Sequence, residues 1–180
     1  AGIATTALYY AVNKVIRHSR GYLWSSFWHS FKTNMKQGAF VTLVVAAAGV
    51  LVGLDGYIMY QFAKAGEKSG VLYVVFFVLM LVVIAWAIYV FPYMARFENS
   101  TKLILKNSAL MAIGNLPKTF MALMFFLACC IGTYLLPVVA IISPALGMLL
   151  LNYILEGVFE RYMSDEDREA ENERNQEFYN

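Results

Sequence analysis

Charged side chains are scarce in this sequence and absent from three long stretches of it. Only 14% of the 180 residues are Asp, Glu, Lys or Arg, whereas about a quarter is usual for a soluble domain. No charged residue occurs in residues 38–54, 69–95 or 119–155. Apolar runs of roughly 18 residues or more are typical of transmembrane helices. The pattern excludes an ordinary soluble domain and predicts an all-α, polytopic membrane protein.

Residues that usually carry catalysis or bind metals are also few. The sequence has two histidines, His18 and His29, and two adjacent cysteines, Cys129 and Cys130, within an apolar run. It has no glycine-rich phosphate loop and no H-E-x-x-H, C-x-x-C or G-x-S-x-G pattern. We therefore expect no enzymatic activity, no cofactor, no metal site and no nucleic-acid partner. The two thiols are interpreted as inert groups in an apolar setting.

The apolar stretches divide into four predicted spans. Residues 38–63 form the first, interrupted only by Asp55, and residues 71–95 form the second, after the polar turn KAGEKSG. Residues 119–155 would extend roughly 55 Å as one helix, which is too long for a single span. We therefore predict two helices joined by a proline-containing turn near residues 133–139.

The distribution of basic residues predicts the orientation of these spans. Of the 14 lysines and arginines, all but Lys64 and Lys68 fall on one side of the predicted membrane. Such residues are enriched on the cytoplasmic side, so both ends of the chain are expected there, in a multi-pass cell (plasma) membrane protein. Residues 1–163 are expected to form one membrane domain, and residues 164–180 an acidic cytoplasmic tail.

A basic, aromatic stripe precedes the first span, in the stretch FWHSFKTNMKQGAF. Large apolar side chains recur there at helical spacing and share one face of the predicted helix: Trp24, Phe27, Trp28, Phe31 and Met35. Lys32 and Lys36 accompany them. A basic amphipathic helix of this kind lies in the membrane interface, with its lysines near anionic headgroups. The same face is equally suited to a protein partner or to packing on the chain's own spans, and the sequence leaves these readings open.

A constant offset relates residues before the first span to residues before the third: Phe27 to Phe97, Lys32 to Lys102 and Lys36 to Lys106. Each segment precedes a hydrophobic hairpin. The similarity predicts a parallel repeat of residues 21–95 and 96–160. Chance similarity between two basic helices remains the alternative.

Polar groups within or beside membrane spans are functional candidates. Asp55, Asn115 and Asn152 are candidate ligand-binding or helix-pairing residues. Asp55 is expected at the outer surface if the first span ends at residue 54. Glu156 is expected at the membrane surface, at the inner end of the last span. The face around Gly49, Gly53 and Gly56 allows close helix approach, and Gly49 and Gly53 form a G-x-x-x-G pair.

Three stretches, ATTALYYAVNKVIR, FWHSFKTNMKQGAF and YVFPYMARFENSTKLILKNSALMAIGNLPKT, resemble the YesL family of bacterial integral membrane proteins, whose function is unknown. The resemblance extends from residue 4 to about residue 160. The residues that carry it are Thr5, Ala7, Leu8, Phe31, Lys32, Asn34, Gln37, Pro92, Arg96, Phe97, Lys106, Asn107, Asn115, Pro117 and Thr119. The family has no assigned active site, so no functional residue carries over.

This resemblance implies one further hydrophobic segment before residue 1, and so five spans in the intact protein. It also implies an association with carbohydrate importers of the ATP-binding-cassette type. We therefore expect a non-enzymatic accessory or regulatory membrane protein that acts with permease or ATPase subunits of such an importer. The alternative is a small transporter or channel that acts alone as a homo-oligomer.

Overall fold

The computed structural model describes residues 2–17, 22–33, 35–97, 99–136, 138–163, 165 and 168–169. Within these residues the predicted all-α fold is confirmed, since every regular element is helical. The elements are α1 (Gly2–Val12), a π-helical turn (Asn13–Arg17), α2 (Leu23–Thr33), α3 (Met35–Lys64), a 3-10 turn (Lys68–Leu72), α4 (Tyr73–Arg96), α5 (Thr101–Gly114), α6 (Leu116–Leu135) and α7 (Val139–Tyr162).

Three of the described helices are long and apolar enough to cross a membrane: α3, the continuous Lys68–Arg96 segment that contains α4, and α6. In each, only 11% of the most apolar window is buried inside the protein. Their apolar side chains therefore point outward, as in a multi-pass membrane protein. The prediction of four spans is not confirmed, because α7 is not among the three.

The turn between α3 and α4 forms where the polar segment KAGEKSG was expected to form one. Gly66 adopts a φ of 82°, a left-handed conformation that glycine tolerates best. The N–H of Gly66 bonds to the Ala63 carbonyl at 3.1 Å, and that of Glu67 to the Phe62 carbonyl at 3.0 Å. These two bonds form a Schellman motif, which ends α3. Because Gly70 has no Cβ atom, the chain can then pack closely against the backbone of Ala63.

Helices α3 and α4 approach each other at Gly53 and Gly56. A Cβ atom at Gly53 would lie 3.2 Å from Met80, and one at Gly56 would lie 3.2 Å from Phe76. Among the described residues, none lies within 4 Å of the same position at Gly49. The contact therefore uses Gly53 and Gly56, two of the three glycines of the predicted face, and not Gly49.

The buried core lies towards one end of the bundle. It combines the C-terminal half of α4 with α1, α5 and the C-terminal half of α7, through residues such as Tyr9, Tyr89, Ile104, Leu155 and Phe159. The helices bring together the ends of spans that are far apart in sequence. This end also holds most of the buried polar side chains.

The order of a short helix followed by two long ones occurs twice, in α2–α3–α4 and in α5–α6–α7. However, the offset seen in the sequence does not align helix boundaries. Phe27 lies inside α2, whereas Phe97 is the residue after α4. The repeat of residues 21–95 and 96–160 therefore stays a prediction. Most of the predicted acidic tail, residues 164–180, lies outside the described residues.

Candidate functional site at a buried carboxylate

The most unusual polar group at the buried end of the bundle is the side chain of Glu156. It lies on α7 and is only 1% exposed. It is the only buried acidic residue among those that the structure describes. The sequence predicts a position at the membrane surface, at the inner end of the last span, but it does not predict this burial within the protein. Burying an ionised carboxylate costs several kcal/mol unless partners compensate it, so its surroundings decide whether the fold tolerates it.

Arg96 supplies the compensating charge. Its Nε atom lies 2.8 Å from Oε1 of Glu156, and its side chain is 11% exposed. Arg96 is the last residue of α4, which ends because Phe97 adopts an extended conformation. A cation in the last helical turn is also favoured by the helix dipole. The ion pair therefore joins the end of α4 to α7.

Helix α1 and the π-helical turn that follows it contribute two further partners of the carboxylate. Tyr9 donates a hydrogen bond from its hydroxyl to Oε2 of Glu156 at 3.2 Å, and Asn13 donates one from Nδ2 to the same oxygen at 2.9 Å. Both donors are themselves buried. Because Tyr9 and Asn13 are four residues apart, helical geometry presents both on one face. The two oxygens of Glu156 thus contact two different helices.

Asn13 is the first residue of the π-helical turn, and such turns are frequent at functional sites. The next residue, Lys14, lies with Nζ 5.7 Å from the centroid of the Tyr10 ring. Partial burial lowers the pKa of Lys14 below its usual value, because a desolvated ammonium is disfavoured. The turn therefore places a polar amide inward and a partly desolvated cation beside it.

Aromatic rings enclose the ion pair on one side. Phe159 makes edge-on contacts with Tyr9, Tyr93 and Phe97, with ring centroids 6.4, 6.1 and 5.8 Å away. Tyr93 and Phe97 stack on each other at 4.6 Å. All four rings are buried. These rings form an aromatic wall beside the ion pair, because Tyr9 bonds to Glu156 and Phe97 follows Arg96 in the chain. Polar contacts in such an apolar setting are stronger than in water.

Asn152 lies one turn before Glu156 on the same face of α7 and is 3% exposed. Among the described residues, none accepts a hydrogen bond from its Nδ2 atom. A buried donor without a partner costs about 1–3 kcal/mol. The structure thus places this sequence candidate beside the ion pair, with an amide group that can still bind an acceptor.

Asn115, another sequence candidate, occupies the corner between α5 and α6. Its Nδ2 donates to the Met111 carbonyl at 3.1 Å and lies 3.4 Å from the Tyr162 hydroxyl. Its backbone carbonyl accepts the N–H of Thr119 at 2.9 Å. Asn115 therefore ends one helix, begins the next and contacts the last residue of α7. It lies on a different corner from the ion pair.

Asp55 is separate from both polar clusters. It is exposed on α3, which continues beyond it to Lys64. The helix therefore does not end at residue 54, and the position of Asp55 relative to the membrane stays a prediction. The helix persists because residues 57–63 are mostly apolar or aromatic and contain neither glycine nor proline.

The predicted interface face on α2 is divided in the structure. Trp24 and Trp28 are 70% and 41% exposed, and Lys32 and Lys36 are also exposed. Phe27 and Phe31 are half-buried; the ring of Phe27 contacts both tryptophans, and that of Phe31 contacts Trp28. The neighbouring Ser30 is only 2% exposed. The helix therefore packs on the protein through its Ser30 side and turns its tryptophans outward.

Sequence reasoning missed three residues of this site: Tyr9, Asn13 and Arg96. One signal for Arg96 was available. It ends the second predicted span on the same side of the membrane as Glu156, and oppositely charged groups at the same depth tend to pair. No comparable signal marks Tyr9 and Asn13, because their partner is more than a hundred residues away in sequence.

The contacts of Glu156 are those of a structural ion pair that holds helices together. A carboxylate paired with a guanidinium and two hydrogen-bond donors is charge-compensated in place, and it unites α1, α4 and α7. Among the described residues, no three His, Cys, Asp or Glu side chains lie close enough to hold a metal ion. Asn152 lies beside this ion pair, and its Nδ2 atom has no hydrogen-bond partner among the described residues.

Comparison with known proteins adds one similarity. A family model described as "Protein of unknown function, DUF624" matches residues 1–56. The match covers α1, α2 and the first part of α3, and so includes Tyr9, Asn13 and the aromatic face of α2 but not Arg96 or Glu156. No curated protein and no solved structure matches the chain. Over its first 56 residues the chain is thus similar to a family of unknown function.

Proposed function

We propose that this chain is a non-enzymatic accessory or regulatory protein of the bacterial cell membrane that binds permease subunits of a sugar importer of the ATP-binding-cassette type. The observation that carries the binding part of this proposal is an apolar groove on the outside of the bundle. The importer is proposed from the resemblance of the sequence to YesL-like proteins.

The groove runs between α4, α5 and α6 and has a volume of about 430 Å³. Small residues form part of its floor, namely Ala85, Ala109 and Ala112, while Val82 and Ile113 are exposed at its edges. Trp86 also lines it, and its Nε1 atom is already bonded to the Leu105 carbonyl and the Ser108 hydroxyl. Small residues let another helix approach closely within a membrane. The groove is therefore suited to a transmembrane helix of a permease subunit.

The buried charge also favours a binding protein over an autonomous transporter. Ion-coupled transporters use intramembrane carboxylates that face a pathway. In this chain both oxygens of Glu156 have partners, and Asp55 lies exposed on α3. The transporter or channel that acts alone as a homo-oligomer therefore remains the alternative and is one outcome of the experiment below.

We also propose a membrane topology for the chain. In this topology α7 is a fourth span, both ends of the chain are cytoplasmic, and α2 lies in the membrane interface. One contact supports placing the two basic segments on the same side. Gln37 donates from Nε2 to the Asn99 carbonyl at 2.8 Å and lies 3.3 Å from the Thr101 hydroxyl. It thereby connects the segment of Lys32 and Lys36 to the start of α5. The exposed tryptophans of α2 directly precede α3, which is where an interfacial helix would lie.

The experiment is affinity purification in mild detergent, followed by mass spectrometry of the proteins that accompany the chain. Ala109→Trp fills the groove, and Ala128→Trp makes the same change at an exposed position of α6 that does not line the groove. We expect importer subunits to accompany the wild type and Ala128→Trp but not Ala109→Trp. Recovery of a homo-oligomer alone would contradict the proposal and favour the autonomous transporter.

A further inference from the structure

A second cavity, of about 430 Å³, lies on the outer side of the aromatic wall that flanks the ion pair. It is bounded by the end of α4, the segment that follows it, α5 and the end of α7. Among the residues that line it are Tyr93, Phe97, Asn99, Asn107 and Tyr162. Its volume falls within the range of roughly 300–1,000 Å³ that is usual for small-molecule sites. Unlike the groove between α4, α5 and α6, this cavity has both polar and apolar walls.

The hydroxyl of the buried Tyr93 fixes the position of two amide side chains on the polar wall of the cavity. Asn99 and Asn107 both donate from Nδ2 to the hydroxyl of Tyr93, at 3.1 and 3.0 Å. These bonds orient both amides and leave their Oδ1 atoms as acceptors. Among the described residues, none donates a hydrogen bond to either Oδ1. Tyr162 also lines the cavity, and this residue is half-exposed. The cavity thus offers several acceptors to a ligand that is rich in donors.

The lining excludes two classes of ligand. None of its described residues carries a charge, so an ionic ligand would lose hydration without gaining a counter-ion. A purely apolar ligand would leave the amide oxygens unsatisfied. Leu110 and Met111 also line the cavity and give it an apolar part. A ligand that satisfies both sides is uncharged, carries several hydroxyl groups and has an apolar face.

We propose that this cavity binds an uncharged, polyhydroxylated ring, of the kind found in neutral monosaccharides and in the headgroups of neutral glycolipids. The two sources share the chemistry that the cavity recognises. The exposed Lys102 and Lys106 on α5 show that this helix also has a solvated or headgroup-facing side, which either source can reach. The site goes beyond the proposed binding of permease subunits and does not depend on it.

The test uses the full chain in phosphatidylcholine nanodiscs and saturation-transfer difference NMR with glucose. Glucosamine, which is cationic, and glucuronate, which is anionic, are the matched charged probes. A second arm adds monoglucosyl diacylglycerol to the nanodiscs and measures the glucose signal as a competition. We expect transfer to glucose and much weaker transfer to both charged sugars. Competition by the glycolipid would assign the headgroup as the preferred source, and its absence would assign the free sugar.

Two variants identify the cavity as the site. Asn107→Leu removes one oriented amide and should weaken binding about fivefold, the effect of one hydrogen bond. Leu110→Trp fills the cavity from its exposed rim without removing a polar group, so it remains informative if Asn107→Leu does not fold. Gln61→Leu, which removes an exposed amide from α3, is the matched control and should bind glucose normally.

The proposal is overturned if neither glucose nor the glycolipid binds, if the charged sugars bind as well as glucose, or if Leu110→Trp binds like the wild type. Each of these results is independent of whether importer subunits accompany the chain in mild detergent. Failure of this site and failure of the proposed function are therefore distinguishable.

Discussion

Arg96 and Glu156 form an ion pair in which Nε of the arginine lies 2.8 Å from Oε1 of the glutamate, at the buried end of the bundle. One residue ends the second candidate span and the other lies on the last helix. The ion pair joins α4 to α7, two helices that are not neighbours in the sequence. It also orients Glu156 so that its second oxygen can accept bonds from α1.

Removal of one member of this pair should cost more than removal of both. Arg96→Leu or Glu156→Leu leaves an uncompensated buried charge and is expected to destabilise the fold by about 3–5 kcal/mol. The double variant replaces both charges with apolar groups and should recover much of that loss. Denaturant unfolding in detergent, arranged as a double-mutant cycle, measures the coupling. Glu67→Leu, at an exposed residue, is the control. Additive single effects would show that the pair does not stabilise the fold.

Loss of the bonds from α1 should loosen this helix selectively. Tyr9→Phe keeps the ring against Phe159 but removes the donor to Glu156, and Asn13→Ala removes the other donor. Each change should cost about 1.5–3 kcal/mol, the usual contribution of a hydrogen bond to a charged group. Hydrogen exchange of the α1 amides is the measurement that isolates the effect. Unchanged protection of α1 in both variants would rule out its attachment through Glu156.

Asn152→Leu tests the unpaired amide beside the ion pair. Leucine has a similar shape and removes a buried donor that has no partner among the described residues. We expect the variant to be as stable as the wild type or more stable, by about 1–3 kcal/mol, because the desolvation cost disappears. Thermal unfolding in detergent checks this. Clear destabilisation would mean that the Asn152 amide has a stabilising partner in the folded protein.

The tryptophans of α2 should report their depth in the membrane. In a Trp86→Phe background the remaining tryptophans, Trp24 and Trp28, are exposed on α2. We expect lipids brominated near the headgroups to quench them more strongly than lipids brominated near the bilayer centre, because indole rings favour the interface. The variant that carries Phe at positions 24 and 28 leaves Trp86 as the control. Equal quenching at both depths, or none, would contradict an interfacial α2.

The sequence predicted the helices well because helices and turns depend on local chemistry. The turn near residues 133–139 lies between α6, which ends at Leu135, and α7, which begins at Val139. The turn after Lys64 forms at Gly66, where a positive φ is needed. The number of spans is not confirmed, because α7 is not among the three candidate spans.

The candidate site was only partly accessible from the sequence. Asn152 was named as a polar group in the last apolar stretch, and the structure places it next to Glu156, on the same face of α7. Glu156 itself was expected at the membrane surface, because the sequence shows how far it lies from the end of the apolar stretch. The sequence does not show how α7 is rotated about its axis relative to its neighbours, so the burial of this side chain was not predicted. The same limit applies to α2, whose protein-facing side proved to be that of Ser30.

The sequence alone determined that this chain is helical and apolar enough for a membrane, since the absence of charge over long stretches leaves backbone groups to be satisfied within helices. Only the tertiary structure decided which polar groups meet. Glu156 gains Arg96, Tyr9 and Asn13, and Tyr93 gains Asn99 and Asn107, through the rotation and depth of packed helices. These quantities depend on contacts between distant segments, and local residue patterns do not encode them.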